Sequence, residues 1–379
     1  MRIAICIFRY FPHGGLQKDF LRVACECARR GHSVELFCGR NSELPQAPIE
    51  GIRWHTIPLR GMTNHVYAKS FERQLRRIVR AQKFDCVLGF NRMKGLDFYF
   101  AGDVCLAESL HRRIIWAFRK IIPRYRVFLR MEESVFSPKS ATRILSLTEK
   151  QKDEYCRWYN TQETRFIPLP VGFDSRCGNV KNVSEVRERV RRELNIGDAF
   201  AVALVGSDFK RKGADRAIAA IAALPEERRQ RVKFFMIGAS DPKDFFVAAT
   251  DAGIRNSVFY LGGRGDVPEL MCGMDLLVHP AREEAGGSVL IEAVVSRLPV
   301  ICTDICGFAP HVEEWNAGRS VASPFVQEKF NAEFADFVAT LMQNRGACRI
   351  DLEKVNPQQY RRAAVVADQL EKFVGERAD

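Results

Sequence analysis

A chain of 379 residues, 46% hydrophobic and 27% charged, carries enough apolar material for two separate cores. That composition excludes a fibrous or disordered protein, and the longest apolar runs fall far short of the roughly 20 residues that cross a bilayer. The net charge of +12 is lopsided: residues 1–170 hold 30 Lys and Arg against 16 Asp and Glu, whereas 171–379 hold 28 against 30. The first half is therefore suited to an anionic partner, whether nucleic acid, a membrane surface or a phosphorylated substrate. The twelve cysteines are scattered and form no C-x-x-C pair, which reads as reduced, buried thiols of a cytoplasmic protein. Residues 1–8 have no small-residue cleavage site and read as a buried first strand, not a signal peptide.

In chain order, apolar runs predict strands at 2–8, 33–38, 86–90, 98–101 and 143–147, with helices at 16–30 and 70–82. The second half predicts strands at 200–205, 233–237, 258–261, 276–279 and 299–303. Helices at 214–223, 243–252, 267–273 and 288–297 alternate with them. Continuously apolar strands alternating with helices indicate parallel sheets covered on both faces. Two such sets predict an α/β protein of two doubly wound, Rossmann-like domains, 1–170 and 171–355. The boundary falls in the stiff connector Pro168-Leu169-Pro170-Val171-Gly172-Phe173-Asp174. Residues 356–374 predict a last helix, with Asn356 as N-cap and Pro357 at its first position. As a segment 356–379 it is expected to pack across the domain junction.

The chemistry gathers in loops that follow strands. The first strand runs into Gly14-Gly15, where backbone can approach a ligand at a helix start, and Asp19 lies one turn on. A tight strand-to-helix turn would look the same. Gly206-Ser207-Asp208-Phe209-Lys210-Arg211-Lys212-Gly213 sets three cations after a strand end, and Arg211 beside Lys212 suits a pyrophosphate. Its spacing is not that of a P-loop. Neither half opens its first helix with G-x-G-x-x-G, which weighs against a nicotinamide dehydrogenase. Leu261-Gly262-Gly263-Arg264-Gly265-Asp266 is a third glycine-rich loop.

The most informative stretch is Arg282-Glu283-Glu284-Ala285-Gly286-Gly287-Ser288-Val289-Leu290-Ile291-Glu292. Two glutamates eight residues apart bracket a Gly-Gly turn at a helix N-terminus, where unpaired N–H groups and a positive dipole end favour a phosphate. One carboxylate could hold ribose hydroxyls and the other could face the group the phosphate carries. A solvated acidic loop would also fit this spacing. Three such loops on one rim of an open sheet make a nucleotide-diphosphate site.

Together these motifs resemble the retaining glycosyltransferases of family 4, whose fold is GT-B, two Rossmann-like domains facing a cleft. The resemblance covers nearly the whole chain. The segments Phe90-Asn91-Arg92-Met93-Lys94-Gly95-Leu96-Asp97 and Ala101-Gly102-Asp103-Val104-Cys105 look like the branch that glucosylates the lipopolysaccharide core. The resemblance implies transfer of glucose from UDP-glucose to an inner-core heptose, in a retained α-1,3 linkage. It implies no metal or other cofactor, because Arg211 and Lys212 would stabilise the leaving diphosphate. It places Glu284 at the donor sugar and Glu292 at the ribose. Ala285, Gly286, Gly287, Ser288 and Val289 would line the phosphates, with Gly14, Gly15, Gly262 and Arg264 close by. Asp19 and Asp103 would line the acceptor side. Ser207 stands where many members carry Arg, so Arg211 must take that load.

Residues 106–131 have their own pattern. Leu106, Leu110, Ile114, Phe118, Ile121, Tyr125 and Phe128 recur at helical spacing among Arg112, Arg113, Trp116, Arg119, Lys120, Arg124, Arg126 and Arg130. A basic, aromatic amphipathic stretch can lie in an anionic membrane interface, and Pro123 would kink it. The expectation is a cytoplasmic protein, peripheral on the inner face of the inner membrane. Alternatives are a GT-B transferase with another nucleotide sugar or acceptor, a GT-B sugar-nucleotide epimerase, and a catalytically silent nucleotide-sugar module. A nucleic-acid-binding protein is disfavoured, because the cations lack a stacking platform or helix-turn-helix pattern.

Overall fold

The computed structural model describes residues 1–379 except 13, 46, 59, 60, 62, 113–116, 119, 120, 175, 345–347, 349, 356–360 and 379. The chain divides into two compact units, Met1–Pro170 with Arg361–Asp379, and Val171–Tyr360.

In the first unit the strands are β1 (Arg2–Cys6), β2 (Ser33–Gly39), β3 (Ile52–Ile57), β4 (Cys86–Gly89), β5 (Phe98–Phe100), β6 (Arg143–Ser146) and β7 (Phe166–Pro168). They form one parallel sheet in the order β3-β2-β1-β4-β5-β6-β7. The helices are α1 (Gly15–Arg29), α2 (Asn64–Gln82), α3 (Leu106–His111), α4 (Pro123–Phe136) and α5 (Glu149–Tyr159). Alternation along β1 sends Ile3 and Ile5 to one face, with Phe20 and Val23 of α1. Ala4 and Cys6 go to the other, with Phe71 of α2, Phe136 of α4 and Tyr155 of α5.

In the second unit the strands are β8 (Phe200–Val205), β9 (Val232–Ile237), β10 (Val258–Gly262), β11 (Leu276–His279), β12 (Val300–Thr303) and β13 (Gly318–Val321). They run parallel in the order β10-β9-β8-β11-β12-β13. The helices are α6 (Val183–Glu193), α7 (Phe209–Lys212), α8 (Ala214–Ala222), α9 (Glu226–Arg229), α10 (Lys243–Asp251), α11 (Val267–Gly273), α12 (Ser288–Val295), α13 (Ala309–Glu314) and α14 (Gln327–Gln343). Phe330, Phe334, Val338 and Leu341 of α14 join Ile218 and Ile221 of α8 in the core over β8.

In each sheet the strand order reverses beside the first strand: between β1 and β4, and between β8 and β11. Loops diverge there, and open α/β sheets bind ligands at that point.

The last helix, α15 (Arg362–Ala378), belongs to the first unit. Its Val366 and Leu370 enter the same core as Phe20, and Arg30, which caps the end of α1, reaches its Asp368 (2.6 Å) and Glu371 (3.0 Å). The caps expected at Asn356 and Pro357 lie outside the described residues. The amphipathic stretch 106–131 is not one kinked helix. It breaks into α3 and α4, because Pro123 lacks an N–H and starts α4 at its first position.

Candidate functional site

In the second unit, the loops after β8 and β11 flank the strand-order switch. The first of them folds, in part, as the single turn α7. Asp208 caps it, its carboxylate accepting from the Arg211 N–H at 3.0 Å. Gly213 ends it at φ +79°, and a Cβ there would collide with the Pro280 carbonyl. A left-handed C-cap pressed against the neighbouring loop thus admits only glycine. Arg282 then ties the two loops together. Its N–H donates to the Arg211 carbonyl at 2.8 Å, and its guanidinium takes both oxygens of Asp215 at 2.7 and 2.6 Å. Arg216 adds bonds to the Pro280 and Ala281 carbonyls at 3.1 and 3.2 Å.

This frame brings Lys212 onto Glu284, Nζ against Oε2, with both side chains about nine-tenths buried. Burial would push the Glu284 pKa up. The Lys212 ammonium, aided by His279 and Arg211, outweighs it and holds the carboxyl well below its ordinary range. Arg211 stays partly open, with Asp208 only at 3.9 Å. A fixed carboxylate and an available guanidinium therefore stand one strand apart. Glu284 cannot serve as a proton donor at neutral pH, but it can accept from hydroxyls.

The turn before α12 fits the expectation of an open helix start. Gly287 is its N-cap at φ +93°, and a Cβ there would press on Glu284 Cγ at 3.2 Å. Gly286 is closed in by the Phe308 ring, whose N–H donates to the Gly286 carbonyl at 2.8 Å. Ala285 is buried, while Ser288 and Val289 are half-buried in the first turn, where N–H groups have no intrahelical partner. Glu292 lies in the second turn and accepts from the Asp174 N–H at 3.3 Å, which ties the end of the 168–174 connector to α12. Gly262 ends β10 at φ +71°, and its carbonyl accepts from Gly238 at 2.8 Å. Arg264 does not stand free: Asp266 holds it through two bonds of 2.8 and 2.6 Å. Among the described residues, no three His, Cys, Asp or Glu side chains are placed to hold a metal ion.

Two family models match the chain, Glycosyltransferase Family 4 over residues 13–175 and Glycosyl transferases group 1 over residues 186–345. The lipopolysaccharide glucosyltransferase WaaG of Escherichia coli K12 is 38% identical over 333 residues, 87% of this chain and 88% of its own. The chain belongs to the WaaG family of glycosyltransferases. A crystal structure of WaaG superposes with a TM-score of 0.90 at 35% identity, covering 97% of this chain and 99% of that one. The D-inositol 3-phosphate glycosyltransferase of Actinosynnema mirum is 24% identical over 82% of this chain and 80% of its own. The Anabaena protein HepE, solved with UDP-glucose, shares the fold at TM-score 0.73 and 16% identity, over 99% of this chain and all of that one. The two Rossmann-like units are thus those of a GT-B glycosyltransferase.

Several parts of the site in this WaaG relative escape a sequence reading. Gly238 and Ser240, after β9, pack on the cationic loop; Ser240 donates to the Ser207 carbonyl at 2.8 Å. The glycine directly after an apolar strand was the available signal. His279 looked like one more residue of a buried strand, and Arg216 and Asp215 like an ordinary helix surface.

In the first unit the expected residues sort differently. Gly14 caps α1 from extended backbone, φ −84°, and is hemmed in by Gln17 and Phe11, whereas Gly15 faces open space. Asp19 is engaged structurally: it pairs with Arg362 of α15 at 2.9 Å, and Arg362 also donates to the Pro170 carbonyl at 2.9 Å. The family resemblance implies an acceptor-side acid here, and no sequence spacing foretells this partner 343 residues away. Asp103 follows β5 with its carboxylate 3.9 Å from Arg92. Behind it, the fully buried Glu132 takes Arg92, the Leu106 and Ala107 N–H groups at 2.8 and 3.0 Å, and the Tyr159 hydroxyl at 2.6 Å. That network fixes the loop that carries Asp103. Of the cations in 106–131, Arg113, Arg119 and Lys120 lie outside the described residues, as does Trp116. Arg112 is committed to Glu154 at 3.1 Å and Glu108 at 3.4 Å. Arg124 and Arg126 are exposed at the start of α4.

Proposed function

We propose that this glycosyltransferase moves glucose from UDP-glucose to a heptose of the lipopolysaccharide inner core, with retention of the α configuration in a 1,3 linkage. The observation that carries the reading is the buried Lys212–Glu284 pair beside Arg211, at the strand-order switch of a chain 38% identical to the Escherichia coli lipopolysaccharide glucosyltransferase. The bond from the anomeric carbon to the diphosphate breaks, and the bond to the acceptor oxygen forms. The acceptor proton leaves with the departing phosphate oxygen. Charge developing on the diphosphate is met by Arg211, Lys212 and the first-turn N–H groups of α12, with no metal needed. Glu284 stays ionised and accepts from donor-sugar hydroxyls, while Glu292 holds the ribose hydroxyls.

The same proposal sets the enzyme on the cytoplasmic face of the inner membrane. No helix among the described residues is long and apolar enough to cross a bilayer, and all twelve cysteines are free thiols. Exposed Phe118, Ile121 and Ile122 precede Arg124 and Arg126. On α2, Lys69, Arg73, Arg77 and Arg80 repeat along one exposed stripe. Apolar side chains beside clustered cations suit an anionic lipid surface.

The test is a transfer assay. The protein is incubated with a heptose-terminated core lipid and a panel of UDP- and ADP-sugars, and the product is identified by mass spectrometry and anomeric NMR. A single α-linked glucose from UDP-glucose is expected. Preference for another donor sends the substrate assignment elsewhere, and conversion of the nucleotide sugar without acceptor supports an epimerase instead.

A further inference from the structure

His279 closes β11, and its ring is fully buried. Among the described residues, neither ring nitrogen makes a hydrogen bond of good geometry. Unsatisfied polar atoms in a core are uncommon and costly, and a leucine would fill the same space without that penalty. The ring does have one polar neighbour in reach. Nε2 stands 3.5 Å from Oε2 of Glu284, the oxygen that Lys212 occupies. Burial, with Lys212 and Arg211 nearby, pushes the imidazole pKa down against the pull of Glu284, so the ring is neutral. With its proton on Nε2, it offers one donor and no added charge.

The geometry points to a positioning role for His279: we propose that it holds the Glu284 carboxylate in place when Lys212 turns to the donor diphosphate. The proposal rests on the reading that Glu284 meets the donor sugar. Lys212 pairs with Glu284. A bound diphosphate carries more negative charge and competes for the same ammonium. A carboxylate that lost this partner would be freer to rotate. The N–H of His279 lies one short adjustment from a formed bond and is fixed by the strand that bears it. A cationic residue in its place would draw Glu284 away from the sugar; an apolar one would leave it loose.

The experiment compares His279→Leu, His279→Gln and Glu284→Gln in the full chain. It reads kcat and KM for the UDP-sugar that the transfer assay selects, UDP affinity by calorimetry, and the thermal midpoint. For His279→Leu we expect kcat to fall roughly 10- to 100-fold, the range for residues that orient a functional group from behind. UDP affinity should stay within about threefold, since UDP carries no sugar, and the midpoint should hold or rise as an unsatisfied polar group leaves the core. His279→Gln, with an amide N–H near the Nε2 position, should recover most of the lost kcat. Three results overturn the proposal: kcat within about threefold of the parent in the leucine variant, UDP affinity falling in step with kcat/KM, or a glutamine variant no better than leucine. Should the leucine variant not fold, His279→Asn replaces it, because its shorter amide cannot reach where Nε2 stands; equal rates for Asn and Gln then refute the role. Normal kcat in Glu284→Gln is a separate failure, that of the sugar assignment itself.

Discussion

Replacing Lys212 by methionine removes the charge while keeping most of the side-chain volume, and leaves Glu284 ionised among buried groups. An exposed pair would cost about 0–1 kcal/mol to break. Here the partners are 9% and 10% exposed, so the buried case applies and the loss should be about 3–5 kcal/mol. For a unit of this size, roughly 2–4 °C per kcal/mol translates that into a drop of about 10 °C in its Tm at pH 7.5. The pH dependence is the sharper check. In the parent, the Glu284 pKa lies below its unfolded value, so its stabilisation is present above the ordinary carboxylate range and lost as pH falls through the folded value. In Lys212→Met, burial is opposed only by His279 and Arg211, and the folded pKa should rise above the unfolded one. The penalty then applies at high pH and disappears as pH falls and the carboxyl takes a proton. The Tm gap between parent and variant should be widest at pH 7–8 and shrink towards pH 5. Adding Glu284→Gln should restore most of the lost stability. In the transfer assay, kcat/KM for the UDP-sugar should fall roughly 10²-fold or more, as for other lost charge-stabilising groups. A Tm change under about 3 °C that stays constant with pH would refute the buried-pair reasoning, and near-normal turnover would remove Lys212 from the chemistry.

Glu292→Ala should weaken UDP binding by calorimetry and raise KM, whereas Glu284→Ala should mainly lower kcat; equal UDP affinity in the Glu292 variant and the parent would exclude the ribose role. Gly287→Ala forces a side chain into left-handed backbone and against Glu284, so it should cost about 1–2 kcal/mol and depress kcat. Gly15→Ala, which meets nothing within 4 Å, should do neither. Co-sedimentation with vesicles should favour anionic over zwitterionic lipid and weaken with salt. Changing Arg124, Arg126 and Arg130 to Gln should lower that affinity by about 1 kcal/mol per cation, and unchanged binding at moderate salt would place the anchor elsewhere.

Strands whose two faces are both covered are the most legible in the sequence. β1, β4, β8 and β11 read as apolar runs because helices pack on each side, and burial is what the run records. β3 escapes for the converse reason. It is an edge strand, and Arg53, His55 and Thr56 break its apolar pattern. β7 and β13 are edge strands of three and four residues, too short for any period to show. α14 is a different case, since Phe330, Phe334, Phe337, Val338 and Leu341 sit at helical spacing, yet no element is assigned there above. The destination of α15 is a long-range matter. Its amphipathic pattern predicts a helix, but the choice of α1 as partner depends on Arg362, Asp368 and Glu371 meeting Asp19 and Arg30, which only the folded chain brings together.

The same division runs through the site. A loop that needs special backbone leaves a local mark, so Gly213 and Gly287 can be found from turns that only glycine can make. Side chains that act through charge leave a weaker one: Arg211, Lys212 and Glu284 stand out as residue types, but their spacing also fits solvated loops. What removes that ambiguity is the strand order. With β8 and β11 adjacent, two loops separated by more than seventy residues become neighbours, and Lys212 must either meet Glu284 or stand as an unpaired buried cation. Arg282 and Asp215 follow from the same adjacency, because each closes a loop whose partner is defined only once the sheet is built. His279 is the limiting case. Its neighbours in sequence are apolar, its strand is buried, and nothing local distinguishes it from a core residue. Its proposed role exists only in relation to a carboxylate on the next loop and a cation from the next strand. Residues that position others are therefore the ones a sequence hides best, and an unsatisfied polar atom in an otherwise apolar strand is the physical sign by which to look for them.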